Sequence, residues 1–258
     1  FDEAERQIHE KLEAAFPGKN VNIVSATKDE QLNILLVGND RDPSQYYLYD
    51  RTSGQARFLV SRMDWIDPEQ MSPMQPIEFA ARDGLTIRGY VTIPKDREEG
   101  ESVPLIVNPH GGPYGVRDYW GFNSEHQFLA SRGYAVVQVN YRGSGGYGRE
   151  FEQAGYGKWG REMQHDISDA VAYLVDEGIA DPERVCIYGG SYGGYAALSG
   201  LTLTPELYAC GISYVGVSNL FTWIAAIPPY WKPYLEMVYE MVGHPERDDQ
   251  PATAGARN

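Results

Sequence analysis

The sequence predicts an α/β fold, a parallel sheet with helices on both faces, preceded by a smaller all-β segment. Three observations carry that expectation. From residue 77 onward, apolar β-type runs alternate with helical stretches. Before residue 61 the β-type runs are short and separated by turn residues alone. Between the two regions Pro68, Pro73 and Pro76 mark a linker.

Taken in order, residues 1–16 have helical spacing, with Ile8, Leu12 and Phe16 on one side and Pro17-Gly18 as the stop. Residues 21–25, 32–37, 46–49 and 57–60 read as four strands, broken by turns such as Lys28-Asp29-Glu30 and Thr52-Ser53-Gly54. Four strands at this spacing look like one blade of a β-propeller. A lone blade cannot bury both its faces, because blades lean on their neighbours. The expectation is that residues 1–70 are the C-terminal part of a propeller domain and residues 71–258 a second domain. In that second part 77–82 and 85–93 flank Asp83-Gly84, a hairpin signal. Strands follow at 105–108, 135–140, 185–188 and 211–217. Helices are expected at 123–132, closed by Gly133, at 162–177, with Ile167, Val171 and Leu174 on one face, and at 192–203.

Composition narrows the function classes. The net charge is −14, from 36 acidic and 22 basic side chains, and such a surface repels phosphate backbones and anionic lipid. Neither nucleic acid nor membrane is an expected partner, and no run approaches the 18 or so apolar residues of a membrane span. The first residues are too charged for a signal peptide. The compartment stays open between cytoplasm and periplasm. Cys186 and Cys210 are too few for a disulfide framework or a zinc site. Cys186 lies in an apolar run and is expected to be a buried reduced thiol.

The chemistry centres on Gly189-Gly190-Ser191-Tyr192-Gly193, which fits G-x-S-x-G. A bare match is weak; its context is not. A β-branched run, 184–188, leads in and a small-residue helix leads out, so Ser191 sits on a strand-to-helix turn with glycines two residues either side. That is the nucleophile elbow of an α/β-hydrolase fold. The start of the helix then offers free N–H groups to a developing negative charge. His110-Gly111-Gly112-Pro113 follows an earlier strand, where such a fold places its other oxyanion donor. The backbone N–H groups of Gly112 and Tyr192 are the expected pair. His110 precedes the serine and is read as structural, not as the base.

One motif competes. Gly143-Ser144-Gly145-Gly146-Tyr147-Gly148 satisfies G-x-G-x-x-G, but a dinucleotide site should open directly into a helix. A glycine- and aromatic-rich stretch runs on through Gly160 instead, and a flexible loop at the rim of the site is expected. The acid and base of this fold follow the serine in the chain. The histidine after Ser191 is His244, and the acids between are Glu206, Glu236 and Glu240. Glu240 and His244 are one helical turn apart, whereas a triad acid and base stand on loops after different strands. His244-Pro245 reads as a helix-ending turn. The tail, 247–258, is polar and patternless. The expectation is therefore a hydrolase fold incomplete at its C-terminus, lacking its last strands and its catalytic Asp and His.

Three motifs together, Asn108-Pro109-His110-Gly111-Gly112-Pro113, Asn140-Tyr141-Arg142-Gly143-Ser144 and Gly189 to Tyr195, resemble those of the prolyl oligopeptidase family of serine peptidases. The likeness is strongest to its acylaminoacyl-peptidase and bacterial dipeptidyl-peptidase branch, and it spans about residues 76–245. The resemblance implies an N-terminal β-propeller, Ser191 as nucleophile, short peptides as substrates and no cofactor or metal. It also implies an S1 lining from the segment after the post-elbow strand: Val217, Leu220, Trp223, Ile227, Trp231 and Tyr234. An aromatic and aliphatic lining suits an apolar or proline-like side chain. Homo-oligomerisation is left open. Two other readings stand beside this one, a carboxylesterase or lipase on the same scaffold and a non-catalytic fragment.

Overall fold

A computed structural model describes residues 3–247, and the tail 248–258 lies outside the described residues. The chain divides into two compact units. The first runs through residue 74 and includes 92–95 and 120–132; the second holds 75–91, 96–119 and the chain from 133 onward.

The first unit begins with α1 (Glu3–Ala15) and continues through β1 (Asn20–Ala26), β2 (Leu32–Gly38), β3 (Gln45–Asp50) and β4 (Gln55–Ser61). The strands form an antiparallel meander in that order. The apolar stripe of α1 explains its seat. Leu12 is buried with Leu35, Val37 and Tyr49, and Ile8 and Phe16 pack beside it. Burying such a leucine contributes roughly 2 kcal/mol. The helix thus covers one face of the meander, while edge strand β4 leaves Phe58 and Val60 more than half exposed. The proline-marked stretch is firmly held. Met74 N–H donates to the Asp40 carboxylate at 2.8 Å, and Ser72 N–H donates to Gln127 Oε1 at 2.8 Å. Gln127 belongs to α2 (Ser124–Ala130), which is capped by the Asn123 side chain.

The second sheet comprises β5 (Met74–Ala80), β6 (Thr86–Thr92), β7 (Val103–Val107), β8 (Ala135–Asn140), β9 (Ala180–Gly190) and β10 (Cys210–Tyr214), in the order β10-β9-β7-β8-β6-β5. The pairs β10–β9, β9–β7 and β7–β8 are parallel. Strand β8 is buried on both faces, as Val136 and Val137 show, while β7 and β9 bury alternate residues, among them Leu105, Val107, Val185 and Ile187. Among the described residues this unit carries the α-helices α3 (Arg149–Gln153), α4 (Glu162–Asp176), α5 (Tyr192–Leu203), α6 (Leu220–Ala225) and α7 (Leu235–Val242). Helix α4 is locked to the β5–β6 turn by buried charge. Arg142 donates to Asp166 through Nε and Nη2 and to Asp83 through Nη1 and Nη2, all within 3.0 Å. This pairing holds the Asp83 carboxyl down at about 2.

Two expectations are corrected. Cys186 is no reduced thiol: it is bonded to Cys210, its register partner on the neighbouring parallel strand, with Cα atoms 4.7 Å apart. The glycine-rich stretch after β8 is not a loose loop. Gly145 N–H donates to Val116 O, Gly143 N–H donates to Phe151 O, Ser144 is fully buried, and α3 follows directly after Gly148.

Candidate active site

Strand β9 sits between β7 and β10 and ends at Gly190, so Ser191 emerges at the carboxyl end of the sheet, where open α/β sheets bind ligands. Ser191 has φ +55° and ψ −117°, a conformation that non-glycine residues rarely adopt. Two hydrogen bonds hold it there. Its N–H donates to Tyr214 O on β10 at 3.0 Å, and its carbonyl accepts from Tyr195 N–H on α5 at 3.1 Å. The flanking glycines are steric necessities. A Cβ on Gly189 would lie 2.5 Å from the Gly193 backbone, and one on Gly193 would lie 2.2 Å from Pro109 O. The Ser191 side chain is exposed and caps nothing on α5.

The loop after β7 lies against this turn. A Cβ on Gly111 would stand 3.5 Å from Ser191 Cβ, and Asn108 Nδ2 donates to Tyr188 O at 2.7 Å. His110 anchors the loop from behind. Its Nδ1 is 2.8 Å from Gly111 O and its Nε2 is 2.9 Å from Ser144 Oγ, a hydroxyl that itself donates to Tyr141 O at 2.7 Å. The Tyr141 ring stacks on the imidazole at 4.4 Å and its hydroxyl donates to His110 O. Burial pushes His110 down to about 4, so it is neutral at ordinary pH, with both ring nitrogens engaged. His244 follows α7, lies tilted against the Tyr239 ring at 4.3 Å and accepts from Glu246 N–H at Nδ1. Neither histidine is among the residues that line the cavity at Ser191.

Ser191 opens into a cavity of about 560 Å³. Gly112, Pro113 and Tyr114 line one side, Trp159 another, and Trp223, Ile227, Trp231, Met237 and Met241 a third. Among the described residues no charged side chain and no histidine lines it. Of the residues expected at S1, Trp223, Ile227 and Trp231 are there; Val217, Leu220 and Tyr234 are not. Leu220 is buried, and Tyr234 is 59% exposed. The lining from Tyr114, Trp159 and α7 was not expected. A signal for it existed in the helical stripe of Met237, Val238, Met241 and Val242. Among the described residues no cluster of three or more His, Cys, Asp or Glu side chains is arranged to hold a metal, and no helix is long and apolar enough to cross a membrane.

The model of the prolyl oligopeptidase family matches residues 120–250. Dipeptidyl aminopeptidase BIII of Pseudoxanthomonas mexicana is 41% identical over 96% of this chain, and dipeptidyl peptidase family member 6 of Caenorhabditis elegans is 37% identical over 91%. This chain covers 36% and 34% of those proteins, so it spans about a third of their length. Among solved structures, the acylaminoacyl peptidase of Pyrococcus horikoshii superposes with a TM-score of 0.74 at 30% identity, over 93% of this chain and 37% of its own. A puromycin-hydrolyzing peptidase of Mycobacterium tuberculosis gives 0.75 at 28% identity, over 88% and 34%.

Proposed function

The chain belongs to the prolyl oligopeptidase family, and from that premise we infer that it carries the nucleophile of a serine peptidase acting on short peptides. The observation that supports this most strongly is Ser191 itself, held on a strained turn at the head of α5 and open to an uncharged cavity. Strain of this kind is kept where a reactive group must be presented.

In the proposed reaction Ser191 Oγ adds to the scissile carbonyl carbon, and the carbonyl oxygen becomes an oxyanion. The N–H groups of Gly112, on the loop beside Ser191, and of Tyr192, first residue of α5, donate to it. One such donor is worth about 3 kcal/mol in the transition state. Collapse expels the amine and leaves an acyl-enzyme, which water then hydrolyses. The P1 side chain occupies the cavity beside Trp223, Ile227 and Trp231, whose lining disfavours a charged group. The base that takes the Ser191 proton is a histidine outside residues 1–258, since none of the five in this chain lines the cavity. The reaction calls on no metal or cofactor.

A fluorophosphonate probe tests the assignment. The full-length protein is expected to label at Ser191 and to cleave aminoacyl anilides in preference to simple esters, and Ser191→Ala to abolish both activities. Residues 1–258 alone should label at least about 100-fold more slowly, as expected when the base is removed. Fast turnover by residues 1–258 alone would overturn the external base, and preference for esters would favour an esterase.

A further inference from the structure

The oxyanion loop and the far wall of the cavity are joined through one hydroxyl. Tyr114 stands two residues after Gly112 and lines the cavity with its ring. Its hydroxyl donates to Met241 O at 2.6 Å, with Gly155 O a second acceptor at 3.0 Å. Met241 is the penultimate residue of α7, so its carbonyl is one of the four that a helix end leaves without an internal partner. Gly157 N–H donates to the same oxygen at 2.7 Å. The ring is wedged in place: Tyr156 meets it edge-on at 5.1 Å, and a Cβ on Gly143 would lie 3.2 Å from it. Burial raises the phenol's pKa, which keeps the hydroxyl a donor at ordinary pH. Helix α7 in turn supplies Met237 and Met241 to the cavity, side chains that adapt readily to what they contact.

We propose that Tyr114 is a positioning residue that couples the oxyanion loop to the α7 wall, so that the P1 side chain accepted and the rate of attack are set together. This rests on the peptidase reading above. A bulky P1 group pressing on α7 is felt at Met241 O, through the Tyr114 hydroxyl, and then at Gly112. A small P1 group does not reach that wall. The coupling is therefore largest for large apolar side chains.

The test compares Tyr114→Phe in the full-length protein with Tyr119→Phe, whose ring is 69% exposed, as control. On anilides with alanine, leucine or phenylalanine at P1, Tyr114→Phe is expected to lower kcat/KM roughly tenfold for phenylalanine, as loss of one hydrogen bond allows. Alanine should change less than threefold, and the control should match wild type throughout. An equal loss at every P1, or none, overturns the proposal. Hydrogen exchange supplies a readout that needs no activity. In Tyr114→Phe the segments 110–116 and 235–243 should both exchange faster while the rest of the molecule is unchanged. Loosening of one segment alone overturns the coupling even in a protein that cleaves nothing. A wild type that neither labels nor cleaves sinks the peptidase reading instead, and the exchange result still decides the link between loop and helix.

Discussion

Ser191 combines the nucleophile's role proposed for it with a backbone in the left-handed region at φ +55°, two demands that conflict for most residues. For an L-residue that backbone costs about 1–2 kcal/mol, and glycine is largely spared it. Replacing the serine by glycine or by alanine therefore separates chemistry from strain. Both variants lose labelling. Ser191→Gly should be more stable than Ser191→Ala by about 1 kcal/mol, read as a higher urea midpoint at unchanged slope. Equal midpoints would mean the turn is not strained in solution. The glycine two residues on behaves oppositely. Gly193→Ala places a Cβ 2.2 Å from Pro109 O, a rigid backbone atom. It should cost about 1–3 kcal/mol and slow labelling by pushing the Gly111-Gly112 loop away, with thermal melting and probe kinetics as the two measures.

At the scale of elements, what was legible from sequence was what is decided locally. Helix α5 at 192–203 and strand β8 at 135–140 fall on the expected residues, because glycine punctuation and uninterrupted apolar runs set their ends. Strand β10 stops early, at Tyr214, because Val215 turns to φ +46°. The Cys186–Cys210 bond was hidden for a different reason: pairing depends on which strand lies beside β9, a matter of sheet order that 24 residues of separation do not reveal. The lining of the cavity beside Ser191 was half legible for a third reason. Leu220 and Ile224, one turn apart on α6, are both buried, while Trp223 and Ile227 meet the cavity. A segment taken whole mixes the two faces. The disulfide and the charge clamp each carry a prediction. Replacing both cysteines by serine should cost about 3 kcal/mol, and reduction of the parent should add 2 Da for the two new S–H bonds, so an unchanged mass would mean free thiols. Arg142 and Asp166 are 7% and 0% exposed, so Arg142→Met strands a buried carboxylate and should cost about 3–5 kcal/mol. The double variant Arg142→Met with Asp166→Leu should cost less than that single one. A larger loss in the double would show that the pair is net stabilising.

For the whole molecule, two buried groups in the second unit bind protons in opposite senses over the same pH range. His110 is pushed by burial from 6.5 down to about 4, so between those values the unfolded chain holds a proton that the native chain does not. Its contribution to stability is therefore lost as pH falls from 6.5 toward 4. Asp118 is pushed by burial from 3.8 up to about 6, against the pull of Gln138 and Arg117. Here the native chain holds the extra proton, and stability is lost as pH rises from 3.8 toward 6. The two slopes nearly cancel between pH 4 and 6, and single substitutions should uncover each one. Asp118→Asn leaves the histidine unopposed, so its melting temperature should fall relative to wild type as pH drops from 6.5 to 4. His110→Asn leaves the carboxyl unopposed, so over the same interval its melting temperature should rise relative to wild type. Taking each difference against wild type at matched pH removes the other carboxylates, which titrate alike in all three proteins. Three parallel profiles from pH 4 to 7 would show that neither group is buried as described, and the neutral, doubly engaged imidazole behind the Gly111-Gly112 loop would have to be abandoned.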